Sequence, residues 1–130
     1  MPRLTTAYDT PFEKGTPGPY IKARITRGDG SNSVELPALL DTGSDITLVP
    51  RHTIEGLGLQ LVTDDLELHD ATGRTISDAG MYHARIEFGG LPVHDLGVAP
   101  TDSAIIYIGR DVLDDYIATF DGPRQSATVD

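Results

Sequence analysis

Cysteine is absent from this 130-residue sequence. Disulfide staples, thiolate metal sites and thiol nucleophiles are therefore excluded. Long apolar runs are missing too: no segment approaches the ~20 apolar residues that a membrane span requires. The opening Met1-Pro2-Arg3-Leu4-Thr5-Thr6 lacks the apolar stretch of a secretory signal, which makes a cytoplasmic location the default expectation. Positive charge is scarce, with 10 Lys+Arg against 20 Asp+Glu and a net charge of −10. Such a surface repels phosphate backbones and anionic lipid, so neither nucleic acid nor a membrane is expected as a partner. No phosphate-cradling loop is present, since Gly28-Asp29-Gly30 precedes no helical pattern and lacks the lysine. The four histidines, His52, His69, His83 and His94, show no ligand spacing; surface or structural roles are expected, with no metal and no cofactor.

What is present suits one folded domain over 1–130, since domains commonly run to ~100–150 residues. The 14 Gly and 9 Pro favour short strands over long helices. The first 18 residues, with Pro2, Pro11, Gly15, Pro17 and Gly18, read as an extended or irregular arm. From Tyr20 to Ile25 the residues alternate as in a half-buried strand, and Arg27 to Asn32 supply a turn. Ser33 to Leu40 reads as a second strand in which Pro37 requires a free edge or an irregularity. Ile46 to Val49 is a third, stopped by Pro50, and Arg51 to Leu57 a short helix ended by Gly58. Leu66–Leu68 and Thr75–Phe88 look like strands joined across the hairpin tip Asp70-Ala71-Thr72-Gly73-Arg74. Gly89-Gly90 is a turn before a strand over Leu91–Val98. The apolar run Ala104–Ile108 fits a strand buried on both faces, and Arg110–Tyr116 has helical spacing. Ile117–Phe120 and Ser126–Val129 close the chain as strands around Asp121-Gly122-Pro123.

The chemistry concentrates at Leu39-Leu40-Asp41-Thr42-Gly43-Ser44-Asp45. A carboxylate directly after an apolar strand and before a glycine turn sits at a strand end, where backbone amides and a substrate can approach it closely. An Asp-Thr-Gly triplet alone also suits an ordinary turn. It gains weight from a second element far downstream, Ile106-Tyr107-Ile108-Gly109-Arg110-Asp111-Val112-Leu113. Ser44 has no His–Asp pattern that would make it a nucleophile.

Together the two motifs, with a hairpin between them, resemble the retropepsin-like aspartic proteases over most of the chain from Tyr20 to Val129. The resemblance implies an all-β, closed barrel-like fold with one or two short helices. It implies an aspartic endopeptidase that hydrolyses peptide or protein substrates with water, without metal, cofactor or covalent intermediate. Such chemistry needs two carboxylates around one water. This chain has a single Asp-Thr-Gly, so the family pattern implies a homodimer in which Asp41 of each subunit meets across a two-fold axis.

By the same resemblance Thr42 would cross-bond with its symmetry mate and hold the carboxylates nearly coplanar. Gly43 would offer its carbonyl to the substrate backbone, and Asp45 would contact the substrate main chain while forming a partly buried pair with Arg110. Ser44, Arg110 and Asp111 would support the site, Asp111 as a charge or cap at a helix start. Tyr107 would line the specificity pockets, which are expected to be apolar and lined by residues around Ile46, Leu48 and Ile76 as well. Thr72, Gly73 and Arg74 would form the tip of a flap over the substrate, although their polarity departs from the Gly-rich apolar flap of the viral enzymes. A rival reading keeps the fold and drops the catalysis, leaving a peptide-binding or oligomerisation module.

Overall fold

The computed structural model describes residues 3–64, 68–69, 72–76 and 80–130. In chain order the strands are β1 (Leu4–Ala7), β2 (Tyr20–Thr26), β3 (Ser33–Leu40), β4 (Leu48–Pro50), β5 (Gln60–Thr63), β6 (Leu68–His69) and β7 (Thr75–Ile76). They continue with β8 (Met81–Phe88), β9 (His94–Thr101), β10 (Ile106–Ile108), β11 (Ala118–Asp121) and β12 (Ser126–Val129). Two helices, α1 (Arg51–Leu57) and α2 (Arg110–Leu113), follow β4 and β10.

Alternation sets the register of the longest strands. In β2, Ala23 and Ile25 are buried while Lys22 and Arg24 face solvent; in β8, Ala84, Ile86 and Phe88 point inward. A slip of one residue would turn either apolar set outward. The observed pairing sets Ala23 opposite Phe88 and Ile25 opposite Ile86. On the outer face the same register brings Arg24 to 3.6 Å from Glu87 and 3.4 Å from Glu35 of β3. These exposed pairs contribute at most ~1 kcal/mol each; burying each core isoleucine contributes roughly 1.5–3 kcal/mol.

Six strands close into a barrel in the order β2–β3–β10–β4–β9–β8, with β8 returning to β2 and β5 lying outside β8. The β3–β10 and β4–β9 neighbours run parallel and the rest antiparallel. Ile25, Val49, Ile86, Val98, Ile106 and Ile108 fill the interior. Helix α1 stops at Gly58, whose N–H donates to the Glu55 carbonyl at 3.1 Å and whose φ of 64° turns the Leu59 N–H back to the Ile54 carbonyl at 3.1 Å.

The all-β barrel with two short helices agrees with the sequence reading; several boundaries move. Residues Leu4–Ala7, within the expected arm, pair with Ser126–Val129. The Gln60–Thr63 strand had no alternating signal, and its residues are mostly exposed. The third strand starts at Leu48, because Ile46 and Thr47 turn away to serve the site described below. The strand expected at Leu91–Val98 begins at His94, after Pro92 and Val93. The apolar run ending at Ile108 forms a strand only from Ile106, and Tyr107 is half-buried, so its two faces are not equally covered. Helix α2 ends at Leu113, well short of Tyr116. The span Thr75–Phe88 contains two strands, and residues 77–79 lie outside the described residues, as do 65–67 and Asp70-Ala71. Pro37 sits where β3 pairs with β2 alone, because β10 joins only from Ala38 onward.

A three-stranded antiparallel sheet, β1–β12–β11, gathers the two chain ends. The turn after α2 is tied to β9, where the Tyr116 hydroxyl lies 2.8 Å from Nε2 of His94 and Asp115 Oδ2 lies 3.6 Å from its Nδ1. Burial first, and then the Asp115 charge, raise the pKa of Tyr116 above its usual value of 10.0. The folded chain thus holds this proton more tightly than the unfolded chain does. Stability should be intact below about pH 10 and decline as pH rises from there through the folded-state value. Urea midpoints measured from pH 8 to 11.5 should fall less steeply in Tyr116→Phe than in the wild type; equal slopes would contradict this account.

Candidate active site

Parallel pairing of β3 with β10 sets Leu40 beside Ile108. The residues that follow each strand, Asp41 and Gly109, therefore leave the barrel together. The Asp41 amide extends the ladder by donating to the Ile108 carbonyl at 2.9 Å. Beyond it the chain turns sharply, with the Gly43 amide donating to Asp41 Oδ1 at 3.0 Å and the Ser44 amide to the Asp41 carbonyl at 3.2 Å. Asp41 is half-buried, whereas Thr42, Gly43 and Asp45 are exposed. The carboxylate is held by its own turn beside these exposed residues.

The second motif grips this turn. The Arg110 amide donates to the Ser44 carbonyl at 2.8 Å, and the Ser44 hydroxyl donates to the Ile46 carbonyl at 2.6 Å. The Arg110 guanidinium donates to the Asp45 carboxylate. That contact confirms the expected pairing across 65 positions of sequence, but Arg110 and Asp45 are 49% and 79% exposed. The pair therefore belongs to the surface class, worth about 0–1 kcal/mol within one chain, and not to the buried class. Asp111 lies in the first turn of α2, as expected of a helix-start charge. Its carboxylate does not cap α2, whose N-cap Gly109 has no side-chain bond. It accepts instead from the Thr47 amide at 2.9 Å and the Thr47 hydroxyl at 2.7 Å.

Gly109 is required by proximity. A Cβ there would lie 2.7 Å from the carbonyl carbon and oxygen of Ile46 and 2.8 Å from the Ser44 oxygen, all backbone atoms. The glycine of the second motif thus lets two backbones touch.

Tyr107 pairs with Leu39 on one side and Leu48 on the other, so the three half-buried side chains share one face of the sheet. The Tyr107 hydroxyl donates to Ser103 Oγ at 3.0 Å. Leu48 and Tyr107 are thereby brought together as expected, while Leu39 was not singled out as a wall residue. The side chain of Ile76 lies outside the described residues. In the hairpin β6–β7, Gly73 has φ of 82°, and Thr72, Gly73 and Arg74 lie at the tip away from the Asp41 turn in sequence. Of the histidines, His83 contacts Asp95 and His94 contacts Tyr116. Among the described residues no group of three His, Asp or Glu could hold a metal ion. Thr47 escaped sequence reading; a threonine between apolar residues at the motif's end was the available signal.

A sequence profile of the family described as Aspartyl protease matches residues 21–116. No curated protein matches the sequence. Among solved structures, a retropepsin-like aspartic protease from Rickettsia conorii superposes with a TM-score of 0.60 at 16% identity, covering 98% of this chain and 89% of that one. EIAV protease in complex with an inhibitor gives 0.58 at 19% identity, covering 82% and 92%. The retroviral protease-like domain of Ddi1 from Leishmania major gives 0.53 at 16%, covering 86% and 89%. At these identities the likeness is one of fold.

Two substitutions separate the contributions of the second motif. Gly109→Ala forces the backbones apart and should lower stability by about 1–3 kcal/mol in a thermal or denaturant melt. Arg110→Ala should cost no more than ~1 kcal/mol in the same melt. A larger loss for Arg110→Ala than for Gly109→Ala would reverse this ranking.

Proposed function

This chain belongs to the aspartyl protease family, and from that premise we propose that it is an aspartic endopeptidase active as a homodimer. The observation that carries the reading is the placement of Asp41. Its carboxylate is engaged by the Gly43 amide at 3.0 Å, and its turn is fixed to the residues after Ile108. Hydrolysis needs two such carboxylates around one water, one ionised to take a proton and one protonated to polarise the scissile carbonyl. Each chain brings one Asp-Thr-Gly, and a two-fold axis brings the second. Exposed apolar side chains beside the terminal sheet, Ile117 at 74% and Phe120 at 38%, support a second copy as partner.

In the assembled site the ionised Asp41 withdraws a proton as water attacks the carbonyl carbon. The protonated Asp41 hydrogen-bonds the developing oxyanion, and the proton is then delivered to the departing amine nitrogen. Two like charges a few Å apart repel each other, which favours the singly charged pair that this chemistry requires. Substrate lies extended against the exposed Gly43 carbonyl and Asp45, with its side chains toward Tyr107, Leu39 and Leu48. Thr72, Gly73 and Arg74 cover it and exclude water. Thr42 cross-bonds with its symmetry mate beneath the two carboxylates. Ser44, Arg110 and Asp111 hold the turn.

Asp41→Asn should keep the wild-type melting temperature and assembly while losing peptide turnover, read by mass spectrometry of a peptide library; cleavage by that variant would refute the assigned role. Specific activity should also drop on dilution in step with dissociation seen by sedimentation. A fully active monomer would rule out the two-copy site.

A further inference from the structure

Thr47 has no exposed surface, and with Thr53 it is one of two buried polar residues among the described ones. A fully buried hydroxyl is costly unless it is hydrogen-bonded, so its partners matter. It has both kinds of bond a hydroxyl can make: it donates to Asp111 Oδ1 at 2.7 Å and accepts from the Gly109 amide at 3.2 Å. The Thr47 amide donates to Asp111 Oδ2 at 2.9 Å, and its carbonyl accepts from the Ala99 amide at 3.1 Å. One residue thus ties together the Asp41 turn, the start of α2 and β9.

The geometry matters because the turn has two ends. Upstream, Asp41 is fixed by the β3–β10 ladder through the Ile108 carbonyl. Downstream, Ser44 is held through its carbonyl by the Arg110 amide and by its own hydroxyl bond to Ile46, and Thr47 is the next residue whose backbone and side chain are both anchored. Asp45, Thr42 and Gly43 between these ends are exposed and have little packing of their own. A carboxylate accepting two hydrogen bonds makes the downstream anchor strong, because bonds to an ionised acceptor are shorter and stronger than neutral ones.

We propose that Thr47 is a positioning residue of the active site, its buried hydroxyl fixing the height and tilt of the Asp41 turn through Gly109 and Asp111. The inference rests on the reading of Asp41 as the catalytic carboxylate. Thr47 touches no substrate; it acts by holding the turn at the geometry in which the two carboxylates share a water. A misplacement of about 1 Å can cost on the order of 100-fold in rate.

The test compares Thr47→Val, which keeps the shape and removes the hydroxyl, with Thr47→Ser, which keeps the hydroxyl. A positioning role predicts that Val lowers kcat at least ~10-fold while KM stays within ~3-fold. Ser should restore most of kcat even though the lost methyl lowers its melting temperature. If the folded fraction of Val turns over at the wild-type kcat, Thr47 only stabilises the fold and the proposal falls. A second readout does not depend on proteolysis. Amide hydrogen exchange at Ser44 should accelerate at least ~10-fold in Val but not in Ser, with Ile25 and Ile86 unchanged. Unchanged exchange at Ser44 in Val overturns the proposal whether or not the wild type cleaves peptides. An inert wild type with accelerated exchange would sink the protease reading alone. Should Val fail to fold, Asp111→Ala takes its place, since it removes both acceptors that Thr47 uses; wild-type kcat and exchange in that variant would also overturn the proposal.

Discussion

Everything at the site depends on the parallel pairing of β3 with β10. Antiparallel neighbours would place the end of one strand beside the start of the other. Parallel ones bring two strand ends to the same edge, so Asp41 and Gly109 emerge together although most of the chain lies between them. The pairing survives because both strands bury apolar residues, Ala38 and Leu40 beside Ile106 and Ile108. The hydrophobic effect, which has no direction of its own, is thereby converted into a placement of backbone ends.

On that frame the site is stitched by backbone and short polar side chains more than by charge pairs. The Arg110–Asp45 contact is exposed and weak in a single chain. The bonds among Asp41, Ser44, Thr47, Gly109 and Asp111 are shorter in reach and better shielded. Gly109 makes this possible by omitting a Cβ where two backbones come within 3 Å of its place. A turn held this way is fixed at both ends and leaves Thr42 and Gly43 exposed between them.

The alternating strands and the helix before Gly58 were legible from sequence because local periodicity and capping decide them. Legibility failed where distant partners decide. Leu4–Ala7 and Gln60–Thr63 carry little apolar signal and are strands only because a neighbour offers a free edge. Thr47 looked like the middle of an apolar strand, yet its bonds to Asp111 reach 64 positions along the chain. Asp111 is the helix-start charge that local rules suggest, but its bonds to Thr47 were not legible, because that partner is remote in sequence. Arg110 and Asp45 could be paired from the family resemblance, but their exposure could not be read from residue types.

Sequence alone determined the chemistry available: one Asp-Thr-Gly turn after an apolar strand, no thiol, and a net charge of −10. Residue types carry functional groups wherever they lie, and so these conclusions needed no coordinates. Tertiary structure decided which of those groups meet. It set the Asp41 turn against Gly109 and gave Thr47 its buried partners, because contacts between remote segments follow from packing the whole barrel and not from the order of neighbouring residues.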